Sequence, residues 1–106
     1  MQLVTQPVHV TIRFLPPGFF LNSPDVRIVL DDHWVVYRGG FLHGFRVDIP
    51  VAPGPHRLTV VLETGVIDRT KHHWVNFPAN MRHDVLLEYS RLWGNFGDPK
   101  VTSTPA

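Results

Sequence analysis

Apolar and polar side chains alternate one for one through most of this chain, and clusters of proline and glycine interrupt the alternation at short intervals. A period of two sends successive side chains to opposite faces of an extended backbone, so the pattern calls for many short strands and no sustained amphipathic helix. In the first run Val8, Val10, Ile12 and Phe14 share one face and His9, Thr11 and Arg13 the other, until Pro16-Pro17-Gly18 ends the ladder. Asp25 to Leu30 sets Val26, Ile28 and Leu30 against Arg27 and Val29. Asp31-Asp32 then turns the chain into His33 to Arg38, which predicts a hairpin, although the turn lacks the glycine that the tightest hairpins prefer. Gly39-Gly40 breaks the chain again, and Phe41, His43, Phe45, Val47 and Ile49 share a face before Pro50. His56 to Thr64 is the most regular strand, followed by Arg69 to Phe77 and His83 to Leu92 on either side of the turn Pro78-Ala79-Asn80.

About seven strands with evenly spaced turns predict an all-β fold, a sandwich or small barrel of antiparallel strands, of which a single antiparallel β-sandwich is the expected one. With 106 residues there is room for one hydrophobic core, so residues 1–96 are expected to form the domain. Residues 97–106 have neither periodicity nor an apolar face and are expected to be a flexible C-terminal tail.

Composition narrows the partners. The ten basic and nine acidic residues are interspersed, with no run of like charge to track a phosphate backbone, so nucleic acid is not an expected partner. No stretch approaches the ~18 apolar residues of a membrane span, and the N-terminus lacks the pattern of a secretory signal, which makes the cytoplasm the expected location. Without cysteine the fold has no disulfide or thiolate zinc site, and must be held by packing and hydrogen bonds.

The segment from Val51 to Leu62, with Pro53-Gly54-Pro55, then His56, then an alternating strand, resembles the strand entry of PEGA-like domains and other prealbumin-like sandwiches. The Asp31-Asp32 hairpin occupies the place of the strand pair that precedes this entry in those domains, and Pro17-Gly18 that of the motif ending the first strand. The resemblance runs over residues 8–90 in strand order and is sharpest from Gly54 to Val60; the namesake tetrapeptide is absent. It implies a prealbumin-like fold and a non-catalytic accessory or binding module, and it carries no catalytic residues with it.

The residues themselves point the same way. Seven histidines raise the question of a metal, but His72 and His73 are adjacent and face opposite sides of a strand, so they cannot chelate one ion. His56 and His83 stand at strand starts and are expected to bond nearby backbone. None of Ser23, Ser90 and Ser103 lies in a nucleophile elbow. Asp31-Asp32 is a turn whose short side chains satisfy backbone amides, and Gly39-Gly40 lacks the following helix of a phosphate loop. No cofactor or metal is expected.

An open sandwich leaves strand edges that must be guarded or used, and guards are few: two lysines, with Pro7 and Pro50 near strand ends. Asp25 to Leu30 is one segment expected to pair readily. The expected function is therefore recognition of a peptide or protein partner by strand addition, with a homodimer as the plainer use of the same edge. Arg27, Arg38, Arg46 and Arg57 are the candidate grips for carboxylates of an extended acidic peptide, and Phe19, Phe20 and Trp93 the apolar anchors. Trp34 belongs to the alternative, a small-ligand or carbohydrate site lined by tryptophans; Trp74 and Phe45 are expected in the core.

Overall fold

The computed structural model describes residues 6–14, 24–40, 42, 44–63, 68–90 and 95–106. In chain order the strands are β1 (Val8–Phe14), β2 (Asp25–Leu30), β3 (Trp34–Gly40), β4 (Phe45–Val51), β5 (Gly54–Glu63), β6 (Arg69–Phe77), β7 (Met81–Leu87), β8 (Tyr89–Ser90), β9 (Asn95–Phe96) and β10 (Lys100–Pro105). Among the described residues there is no helix, and so none long and apolar enough to cross a membrane. Eight strands form two four-stranded sheets, in the orders β10-β7-β1-β4 and β3-β2-β5-β6, and β8 and β9 make a small ladder of their own.

The alternation places the core. Val8, Val10, Ile12 and Phe14 of β1, Ile49 and Val51 of β4 and Val85 and Leu87 of β7 meet Val26, Ile28 and Leu30 of β2, Leu58, Val60 and Leu62 of β5 and Val75 and Phe77 of β6 in one buried cluster. Each fully buried side chain of this kind stabilises the fold by about 1.5–3 kcal/mol relative to exposure. The two sheets are thus layered face to face, as the period of two predicts.

Three details depart from the expected pattern. The ladder is not wholly antiparallel, because β1 and β7 run parallel, with Val10 opposite His83 and Ile12 opposite Val85. A parallel pair needs a long crossover, and the chain between them supplies one by building the whole second sheet and β4 on the way. Asp25–Leu30 is not an edge, since β2 lies between β3 and β5. The expected tail contains a strand: Lys100–Pro105 pairs antiparallel with Met81–Leu86 of β7, although all six residues are exposed. Such a strand is held by its backbone ladder and by the pairing of the Ser103 hydroxyl with His83 Nδ1 at 2.7 Å, neither of which leaves an apolar pattern.

The turns follow from backbone chemistry. Asp31 and Asp32 both take positive φ, 55° and 64°, and so meet the requirement of a tight hairpin turn without glycine. Asp31 also fastens the turn to β5, accepting the Arg57 amide at 3.1 Å and pairing with His56 Nδ1 at 2.6 Å. Gly54 enters β5 at φ 120°, a conformation L side chains rarely adopt, which explains the Pro-Gly entry seen in the sequence. His56 and His83 bond backbone as expected, through Nε2 to the carbonyls of Ala52 at 2.6 Å and Pro78 at 2.9 Å.

Candidate functional site

Among the described residues the two four-stranded sheets end in β3 and β6 in the second and β4 and β10 in the first. On one side of the molecule β3 and β4 lie together. There the register of β3 against β2 shifts between Ile28 and Val29, so both Val36 and Tyr37 pack toward the core. Such a bulge spoils a strand as a template. Tyr37 stacks on Phe45 with ring centroids 4.2 Å apart, and Phe45 stacks on Phe14 at 5.6 Å. Phe45 is thus a half-buried rim residue rather than a core one. Pro50 removes a donor from β4.

On the other side, β6 keeps continuous register with β5 over nine residues, from Arg69 opposite Leu62 to Phe77 opposite Gly54. It contains neither proline nor bulge. Because Val75 and Phe77 face inward, parity sends Trp74 outward, opposite Arg57, where it is 77% exposed. Trp74 is therefore not core, and it is the most exposed large hydrophobic residue among those described. A groove of ≈ 440 Å³ runs beside this edge, lined by His73, Trp74, Val75, Asp98, Pro99 and Val101 among others. Val101 lies on the inward-facing side of β10, opposite Val85, yet remains 38% exposed.

His73 forms part of the groove wall. Its side chain is 10% exposed, Nδ1 is 3.6 Å from Asp98 Oδ1, and Nε2 is buried without a hydrogen-bond partner. Burial pushes its pKa below the ordinary histidine value, helped by the charges of Lys71 and His72 and opposed by Asp98. Burial thus favours the neutral ring.

Comparison of the chain with protein-family models, curated proteins and solved structures finds no match. The site has to be judged on its geometry.

The residues singled out in the sequence do not converge. Arg27 and Arg57 lie on the central strands β2 and β5, within 3.9 Å of Glu63 and 3.3 Å of Asp32 respectively. Arg46 is on the outer face of the other sheet, 3.4 Å from Asp48. Trp34 is 38% exposed on β3, at the opposite edge of the second sheet from Trp74, so the two cannot line one cleft. Phe19, Phe20 and Trp93 lie outside the described residues. What the sequence reading missed is on β6: Arg69, Lys71 and Trp74. Two signals were present, the absence of any carboxylate from Arg69 to Phe77 and the parity that sets Trp74 against Val75.

A second polar concavity of ≈ 450 Å³ lies on the outer face of the first sheet, between His9, Thr11, Arg46, Asp48, Arg82 and Thr102. The register of β1 on β4 brings Thr11 opposite Asp48. Thr11 donates to Asp48 Oδ1 at 2.5 Å, and His9 Nε2 lies 3.1 Å from the same oxygen. The Thr11 hydrogen bond, with those of Arg46 and His9, outweighs desolvation and holds the Asp48 pKa at about 2. These are not the relations of a nucleophilic triad. The hydroxyl proton is committed to the carboxylate, and one imidazole nitrogen faces both partners, leaving no base aligned on the hydroxyl. Among the described residues no group of three or more His, Cys, Asp or Glu side chains could hold a metal ion.

Proposed function

We propose that this chain is a non-catalytic binding module that takes up an extended segment of a peptide or protein partner on the free edge of β6. The observation that carries this reading is the combination on one strand of nine uninterrupted residues of free edge and a tryptophan that is 77% exposed. Backbone hydrogen bonds of an added strand supply affinity, and an aromatic anchor beside them supplies specificity. The groove against Pro99 and Val101 gives the inward side chains of that strand apolar surface to cover.

A prealbumin-like architecture fits the same reading. It is supported by two four-stranded sheets in which the first strand is flanked by the fourth and seventh and the second by the third and fifth. The alternative, a carbohydrate or small-ligand site built from tryptophans, finds no common platform for Trp34 and Trp74.

The test is a display library of extended peptides selected against the whole protein, with the selected sequences mapped by amide chemical shifts. Perturbations along Arg69–Phe77 and a binding loss of ten-fold or more in Trp74→Ala are the expected result. Selected peptides that map to the polar face around Asp48, with β6 unperturbed, would sink the reading.

A further inference from the structure

We propose that the segment taken up by β6 is acidic, with two carboxylates at alternate positions. The inference rests on the strand-addition reading and names the chemistry of its partner. Nine of the ten Lys and Arg residues are described, and six are matched to carboxylates of the chain itself. Arg13 pairs with Asp84, Arg27 and Arg38 with Glu63, Arg46 with Asp48, Arg57 with Asp32 and Lys100 with Glu88. Among the described residues the side chains of Arg69, Lys71 and Arg82 have no hydrogen-bond or ion-pair partner, and the first two stand on β6. Both are exposed, two residues apart, and opposite the core residues Leu62 and Val60, hence on the same side of their strand. His73, next on that side, is biased toward its neutral form by burial, and no carboxylate interrupts the strand.

Cross-strand neighbours on one face of a ladder interact directly, so two unmatched cations at alternate positions call for two anions at alternate positions opposite them. Trp74 lies three residues beyond Lys71 and on the other face, which calls for an apolar side chain there. The complementary pattern is acidic, any, acidic, any, any, apolar for a parallel strand, and its reverse for an antiparallel one. A second copy of this chain does not answer this need, since pairing β6 with itself brings no carboxylate of either strand to Arg69 or Lys71.

The probes are blocked ten-residue peptides carrying Glu-Thr-Glu and a Tyr three positions away, in both directions, with Gln-Thr-Gln counterparts. Binding to the intact protein is followed by Trp fluorescence and by the β6 amide shifts, at 20 mM and 300 mM salt. The Glu peptide is expected to bind about ten-fold tighter than its Gln counterpart, with the ratio collapsing at high salt. The double variant Arg69→Glu, Lys71→Glu, with both changes on exposed side chains, is expected to transfer the preference to a Lys-Thr-Lys peptide. Equal affinity of Glu and Gln peptides on β6 would overturn the acidic partner and leave strand addition standing. No perturbation of β6 by any peptide would overturn both, and self-association abolished by Trp74→Ala would replace the acidic partner with a second copy.

Discussion

The two flanks of the sandwich solve one problem in opposite ways. Where β3 meets β4, the edges are spoiled by a bulge and a proline, the gap is closed by the Tyr37–Phe45 stack, and Arg38 and Arg46 are neutralised by carboxylates of the same chain. Where β6 faces β10, the edge is straight, Trp74 stands in solvent, and among the described residues no aromatic stack closes the gap and Arg69 and Lys71 are unmatched. Steric guards exclude every partner, whereas charge excludes only those of like sign. On the proposed reading the second flank is selective rather than closed.

The largest effect expected is on the floor that both flanks share. Phe77, on β6 but 1% exposed, packs between the rings of His56 at 5.7 Å and His83 at 5.1 Å. Phe77→Ala should cost about 3–5 kcal/mol in urea unfolding. A loss under about 1 kcal/mol would mean that β6 is not anchored to the core at all.

Phe45→Ala tests the closed flank. Phe45 is half-buried, so its loss should cost less than that of Phe77, about 2 kcal/mol including the stacking with Tyr37. If Phe45→Ala proves as silent as a surface change, the two flanks do not differ in closure and the comparison fails.

Asp31 ties the β2–β3 hairpin of the closed flank to β5, and Asp31→Asn should destabilise by about 1 kcal/mol at pH 7. Burial raises the Asp31 pKa, but the bonds from His56 and the Arg57 amide and the charges of His56 and His33 bring it below the usual value. A depressed carboxylate stabilises the fold above about pH 3.9 and the contribution is lost as the pH falls through the folded-state value. The variant should accordingly lose less stability than the parent on acidification below pH 4.

His73 carries the same sign on the open flank, in a higher pH window. Its folded-state pKa is depressed by burial, so the unfolded chain binds the proton more readily. Stability is full above about pH 6.5 and declines as the pH falls toward the lower folded value. The decline between pH 7.5 and 5.5 should be shallower in His73→Gln than in the parent, and an unchanged slope would mean that the ring is not held neutral.

Much of this fold was legible because alternation is a local property. The bounds of β6, the inward set of β1 and β2 and the hairpin at Asp31-Asp32 all follow from side-chain parity and turn chemistry. What was not legible depends on register between distant strands. The parallel pairing of β1 with β7, the central place of β2 and the meeting of Thr11 with Asp48 leave no mark in any single segment. The strand Lys100–Pro105 lacks an apolar face because nothing covers it. The arginines that looked available proved to be matched within the chain, a pairing that only the fold creates, while Arg69 and Lys71 stood in a run whose lack of carboxylates was visible throughout.

The smallest effect is the most telling for the open flank. A tryptophan is the largest apolar side chain a fold can bury, and had Trp74 belonged to the core its truncation would cost about 3–5 kcal/mol. Parity instead puts it outside, 77% exposed and opposite Arg57, so Trp74→Ala should change stability by less than about 0.5 kcal/mol. Set beside Phe45→Ala, that near-silence would show an aromatic on the closed flank holding the fold and one on the open flank contributing nothing to it, as the proposed strand addition requires. A cost comparable to that of Phe45 would mean that Trp74 packs on its own sheet, and the edge would lose its anchor.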